Sequence, residues 1–332
     1  MIRRSASLPP KIADGGVLSA ALDTVPGMLH PSALRPGDVV AVVSPSSAVT
    51  EDLQPQLRHG VETLTQLGLS VRFAPHALGR WQHSAGTARQ RAEDLNSAWA
   101  DPQVSMILMS QGGQTANGLL DRLDYPLFAA QPKIFMGMSD GTTLISAIAA
   151  RAGVVAFHGP DLLWGFGRPM SRRIRDQFRA VLVDGAAGPV PAADLRTIRP
   201  GRASGRLFGG HSNILKDTLF AGYGPDLDGA ILFLEGTHPI AELCRHFQAY
   251  RLRGVFDQIS GLVLGHFDGL DTPRPSVAEV VLEATDGHSF PIVELDELGH
   301  NVENFVFPIG VRATIDTRAG RLILDEPAVT PC

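Results

Sequence analysis

Five residues, Gly137-Met138-Ser139-Asp140-Gly141, set one hydroxyl between two glycines, after the apolar IFMGM and before the helix-forming LISAIAA. A serine on a sharp strand-to-helix turn is held out of its sheet beside the free N–H groups of the helix start, where an oxyanion would be stabilised. The same turn also suits a helix cap, in which Ser139 or Asp140 merely satisfies those N–H groups. The motif alone leaves both roles open.

A nucleophilic serine needs an imidazole base and a third group to orient it. Of eleven histidines, His300 stands apart in a glycine-flanked loop, ELDELGHNVENFVFPIG, after the apolar PIVEL. Glu235 ends AILFLEG, the strongest apolar stretch of the second half. Each could equally be a solvated loop or strand-end residue. Gly112-Gly113 follow VSMILMS and would lie beside the Ser139 turn in a parallel sheet, where a backbone N–H can point at a substrate oxygen or at a phosphate. G-x-G-x-x-G and G-x-x-x-x-G-K-[ST] are both missing, so no nucleotide cofactor is expected. His238, Glu242 and His246 fall at i, i+4 and i+8, a spacing metal ligands sometimes use. Pro239 marks a helix start there and no H-E-x-x-H motif exists, so capping or solvent-facing roles are expected and a metal is not.

These residues need a scaffold that brings strand ends together. From LRPGDVVAVVSPSS onward, apolar runs at Val39–Val43, Leu69–Phe73, VSMILMS, IFMGM and Val154–Phe157 alternate with helical stretches at Glu51–Leu67, Ala85–Ala100 and after Ser139. That order predicts an α/β fold, a Rossmann- or flavodoxin-like parallel sheet with functional loops at the carboxyl ends of its strands. The segment from Trp164 to about Arg202 is rich in Gly, Pro, Ala and Arg and reads as a connector. Beyond it, GRLFGGHSN, AILFLEG, a helix from Ile240 to about Val255, ISGLVLGHF, PIVEL and Val311–Ile315 predict a smaller α+β domain with a curved, barrel-like sheet. The expected division is an N-terminal extension over 1–33, an α/β domain over 34–165, a connector over 166–202 and a C-terminal domain over 203–332.

Twenty-nine basic and 34 acidic residues give a net charge of −5, with no block of like charge to favour nucleic acid or an anionic membrane. A small neutral or peptide-like ligand fits better. Two cysteines, Cys244 and Cys332, make neither a disulfide framework nor a zinc cluster and suit a reducing cytoplasm. The start, MIRRSASLPPKIADGG, lacks the apolar core of a secretory signal, and no run approaches a membrane span.

Six segments in order resemble the LD-carboxypeptidase family of serine peptidases, which includes self-immunity peptidases against microcin C. They are LRPGDVVAVVSPSS, GTARQRAEDLNSAWADPQVSMILMSQGG, LLDRLDYPLFAAQPKIFMGMSDGTTLISAI, FHGP, LDGAILFLEG and ELGHNVENFVFPIG, spanning about Leu34 to Asp316. The resemblance implies a Ser-Glu-His triad, carried here by Ser139, Glu235 and His300. It also implies oxyanion donors at the backbone N–H groups of Asp140 and Gly113, and a cytoplasmic homodimer acting in antibiotic resistance or peptidoglycan recycling. Gly112, Met138, Trp164 and His211 are expected to line the substrate pocket. Met138, Gly141, Gln114–Asn117, His211 and Gly236-Thr237-His238 depart from the family's usual residues, which leaves the substrate open between a small peptide and an aminoacyl amide. FHGPDLLWGFG and GVFDQISGLVLGHF look closer to the microcin-immunity branch. An acyltransferase passing the acyl group to an amine would use the same triad, and a non-catalytic binding module could share the fold. An α/β-hydrolase esterase would share G-x-S-x-G but also carry an H-G-G-G-like loop, which is missing here.

Overall fold

Short, nearly unbroken apolar runs form strands covered on both faces, and here they build a parallel sheet. The computed structural model describes residues 27–191 and 195–331. Most of the expected N-terminal extension, residues 1–26, lies outside them. The first unit runs β1 (Val39–Val43), α1 (Gln54–Gln66), β2 (Ser70–Phe73), α2 (Ala88–Ala100), β3 (Val104–Met109), α3 (Tyr125–Ala130), β4 (Ile134–Gly137), α4 (Gly141–Ala152) and β5 (Ala156–His158). The predicted Ala85–Ala100 helix begins late because Thr87 forms a capping box with Gln90, ending the preceding loop there.

The chain continues through α5 (Arg172–Leu182), β6 (Gly188–Pro189), β7 (Leu195–Arg199), β8 (Arg202–His211), α6 (Ser212–Phe220), β9 (Ile231–Thr237), α7 (Ile240–Leu252) and α8 (Val255–Gln258). It closes with β10 (Gly261–Asp268), α9 (Val277–Ala284), β11 (Ile292–Gly299), β12 (Phe307–Ile309), β13 (Arg312–Asp316) and β14 (Arg321–Leu324). The stretch expected as a connector thus holds a helix, α5, whose Ile174, Phe178, Val181 and Leu182 are buried in the common core.

The first sheet has the order β12-β5-β4-β3-β1-β2, with β1 to β5 parallel and β12 antiparallel at the edge. The order reverses between β1 and β3, so the loops leaving β1, β3 and β4 crowd together at one sheet edge, where such folds bind ligands. The second sheet has the order β6-β14-β13-β8-β9-β10-β11-β7, parallel across β8 to β11 and antiparallel at both flanks. The α/β class and the mixed second sheet match the expectation from sequence.

The two sheets are locked together beside the site. His211, last in β8, donates its backbone N–H to Thr142 Oγ1 on α4 at 3.0 Å, and a Cβ on Gly210 would stand 2.5 Å from the Thr142 side chain. Gly209, at φ +157°, has equally little room, since a Cβ there would reach 2.1 Å from the Phe233 carbonyl of β9. Backbone cannot yield as a flexible side chain can. Gly209→Ala is therefore expected to lose about 3 kcal/mol of stability. This would be read as a lower urea midpoint with an unchanged slope, and a loss below about 1 kcal/mol would contradict the packing described.

Candidate active site

Ser139 sits between β4 and α4 at φ +58°, in the left-handed region that L-residues avoid, a conformation costing about 1 to 3 kcal/mol. The flanking glycines explain how the turn forms. A Cβ on Gly137 would lie 2.4 Å, and one on Gly141 2.6 Å, from Met109 Sδ of β3, so both glycines let the turn close over that thioether. The cap reading of Asp140 fails: its side chain makes no cap bond to α4. Instead Asp140 Oδ2 accepts from Ser46 Oγ at 2.6 Å, Thr115 N at 2.7 Å and Ala116 N at 2.8 Å, tying the loops after β1 and β3 to the serine turn. Buried Arg91 on α2 braces the same loops, donating to the carbonyls of Pro45, Gly86 and Thr115.

Gly112 lies against the serine. A Cβ on it would stand 2.7 Å from Ser139 Cβ, 3.0 Å from its Oγ and 3.5 Å from Asp140 N. Any other residue would fill the space over the hydroxyl. Gly113, at φ +151°, packs its open side toward the Ser46 and Ser47 hydroxyls. Among the described residues, no hydrogen bond uses the N–H of Gly113 or of Asp140.

Glu235, on β9, is completely buried, and its Oε2 accepts from His300 Nδ1 at 2.7 Å. That bond fixes the tautomer and leaves His300 Nε2 facing other partners. Burial by itself would push the Glu235 carboxyl up, but the His300 charge and hydrogen bond, with His211 and His158 nearby, hold it at about 2. Burial likewise opposes a charged His300, yet Glu235, helped by Asp161 and Asp268, raises its pKa above the ordinary histidine value. His300 lies, as expected, in the loop after this strand, at its first turn position; β11 runs further than PIVEL suggested, to Gly299, and so delivers the histidine directly from the strand end.

Ser139 and His300 line one cleft of about 570 Å³, together with Gly112, Gly113, Met138 and Trp164. The cleft thus gathers residues from both halves of the sequence. Asn304 spans them: its amide donates to Met138 Sδ at 3.6 Å and its Oδ1 accepts from Gly299 N at 3.1 Å, so the residue before the serine is tied to the residue before the histidine.

His211 does not reach the cleft wall. It is buried behind His300, ring centroids 5.4 Å apart and nearly perpendicular, because the Thr142 bond draws its backbone inward. Burial lowers it to about 4, and lowers His158, fully buried against Phe233, to about 4 as well, so both are neutral near pH 7. His238 and His246 are also buried, with rings 4.5 Å apart, rather than solvent-facing; only Glu242 of that trio is exposed. Among the described residues no group of three or more His, Cys, Asp or Glu side chains is arranged to hold a metal ion.

Sequence reasoning missed Asp161, Gln111, Arg168 and Asn304, all on the cleft wall. Asp161 is buried, which pushes its carboxyl up to about 7 even though its Oδ1 accepts from Trp164 N at 2.7 Å and Gly165 N at 3.3 Å. FHGPD, a strand end followed by Asp at a helix start, was the available signal.

Two family models match the chain, the LD-carboxypeptidase N-terminal domain over residues 40–159 and its C-terminal domain over residues 204–315. The chain belongs to the LD-carboxypeptidase family. It is 31% identical to a murein tetrapeptide carboxypeptidase of Pseudomonas aeruginosa, over 83% of this chain and 92% of that one. It is 29% identical to the microcin C7 self-immunity protein MccF of Escherichia coli, over 86% and 94%. A solved MccF structure in complex with aspartyl sulfamoyl adenosine superposes with a TM-score of 0.86 at 26% identity, covering 91% of this chain and all of that one. As a family member the chain is a serine-type peptidase hydrolysing an amide bond.

Asp140→Ala would leave the Ala116 N–H and the Ser46 hydroxyl without their acceptor and the Thr115 N–H with only its longer bond to Ser46 Oγ at 3.2 Å, and is expected to cost about 3 kcal/mol. Thermal unfolding should detect this, and an unchanged midpoint would show that the loops are held by something else.

Proposed function

We propose that Ser139, His300 and Glu235 form the triad of this peptidase. The observation that carries the reading is the buried 2.7 Å Glu235–His300 bond opening onto the cleft that also receives the strained serine. His300 Nε2 takes the hydroxyl proton as Ser139 Oγ attacks the amide carbonyl, and Glu235 steadies the resulting imidazolium. The N–H of Asp140 and that of Gly113 stabilise the oxyanion, with Gly112 keeping the approach open. Collapse of the tetrahedral intermediate passes the proton to the leaving amine and leaves an acyl-Ser139 ester. Water, deprotonated by the same imidazole, then releases the acid and restores the serine.

The substrate class is a small peptide or an aminoacyl amide, and the site of action is the cytoplasm, with the chain working as a homodimer. The few charges on the cleft wall support the substrate class; among the described residues no helix is long and apolar enough to cross a membrane. The kinship to a murein peptidase and to an immunity protein offers peptidoglycan recycling and antibiotic resistance as the two settings for trial.

Ser139→Ala and His300→Ala are each expected to lose at least about a thousandfold in kcat/KM. Mass spectrometry after treatment with a serine-reactive phosphonate should find the adduct on Ser139; an adduct on another serine, or full turnover by Ser139→Ala, would overturn the triad. The pH profile supplies a second check. Because the neutral imidazole is the base and Glu235 raises its pKa, kcat/KM should climb with pH through a limb lying above about 6.5. In Glu235→Gln the limb should move to lower pH while the rate falls by about 10⁴, the loss typical when a triad carboxylate becomes an amide. A limb that stays in place would remove Glu235 from the role.

A further inference from the structure

The cleft wall continues from Gly112 through a chain of fixed side chains that the triad does not use. Gln111 is buried, and its amide donates to the Ala48 carbonyl at 2.8 Å. Its Oε1 accepts from Trp164 Nε1 at 3.2 Å, so the indole is pinned at its nitrogen, and Asp161 holds the backbone N–H of the same tryptophan. The Arg168 guanidinium carbon then lies 4.7 Å from the centre of the Trp164 ring. One side of the indole is thus already occupied by this cation.

A guanidinium held over a ring by cation–π attraction still has several N–H donors, and these pair with planar or tetrahedral oxyanions. Among the described residues Arg168 is the only lysine or arginine on the cleft wall, and no carboxylate lies within ion-pair distance of it, although its charge acts on buried Asp161 of the same wall. Glu303, exposed on the same wall, is not within ion-pair distance of it. The indole, held at its ring nitrogen and at its backbone, gives exposed Arg168 a fixed surface to rest on, and a cation restrained before a ligand arrives gives up less freedom on binding.

We infer that Arg168, fixed on Trp164, is the specificity-determining residue of the cleft and binds an oxyanion of the substrate, either a carboxylate or a phosphoryl group. This rests on the peptidase reading for its biological meaning, but its test is a binding test. In the Ser139→Ala background, calorimetry compares a murein tetrapeptide with its C-terminal carboxamide, and AMP with adenosine. At least one anionic member should bind about tenfold or more tighter than its neutral partner. The added Arg168→Gln change should abolish that preference, and Arg168→Lys, which keeps charge but not the planar edge, should restore only part of it. The pair that responds identifies the source of the oxyanion. Arg172→Gln, on an exposed α5 position outside the cleft, serves as control and should keep the preference. If neither pair is discriminated, or Arg168→Gln discriminates as before, the assignment is overturned. Failure of the triad would instead appear as catalysis surviving in Ser139→Ala, with these binding ratios untouched.

Discussion

A carboxylate that stays charged in the interior needs a compensating charge or a full set of hydrogen bonds, and Glu235, with no exposed surface at all, has the His300 imidazole. The constraint reaches far into the structure. To meet Glu235, His300 must arrive from β11 at the carboxyl edge of the second sheet, two strands from β9 across β10. The register shift in β10 between Leu264 and His266 lets β11 rejoin it with Gly299 opposite His266, directly before the histidine. Neutral His158 and His211 on either side then provide polarisable neighbours without competing positive charge near pH 7. Breaking such a pair by removing one member typically costs about 3 to 5 kcal/mol, so the same contact that orients the base also secures the fold around it.

The strained serine is a complementary case. Its positive φ is imposed by β4 and α4 closing over Met109, and it persists because Asp140 anchors the neighbouring loops from within the turn. Strand, turn and helix thus present the hydroxyl at a fixed place. Asn304 carries the reference across to the other half.

Much of this was legible in the residues. Apolar runs separated by helical periods gave the parallel sheet, and glycine pairs at strand ends marked the site, because both signals are local. What escaped was hidden by composition. Arginines in RRIRDQFRAVL disguised the apolar stripe of Ile174, Phe178, Val181 and Leu182, which shows only when read at helical spacing. Charged residues in ELDELG broke the strand signal of β11, although Glu297 is buried against Arg173. A proline in FPI carries no strand signal of its own, yet β12 forms there because it lies at a sheet edge, where a missing N–H is harmless. The inward turn of His211 depends on a contact with Thr142, 69 positions earlier, and no local pattern encodes it.

That edge strand bears on how this architecture can evolve. β12 comes from the C-terminal half but completes the first sheet, pairing Phe307 with His158 and Ile309 with Ala156 beside the strand that leads to the site. Each family-model segment is a single continuous stretch of sequence, but their folded territories interlock. Recombination that swapped one half for that of a distant relative would exchange not only a base and its carboxylate but a structural edge of the nucleophile's own sheet. A chimera of halves would therefore have to keep the β12–β5 pairing as well as the residues of the site.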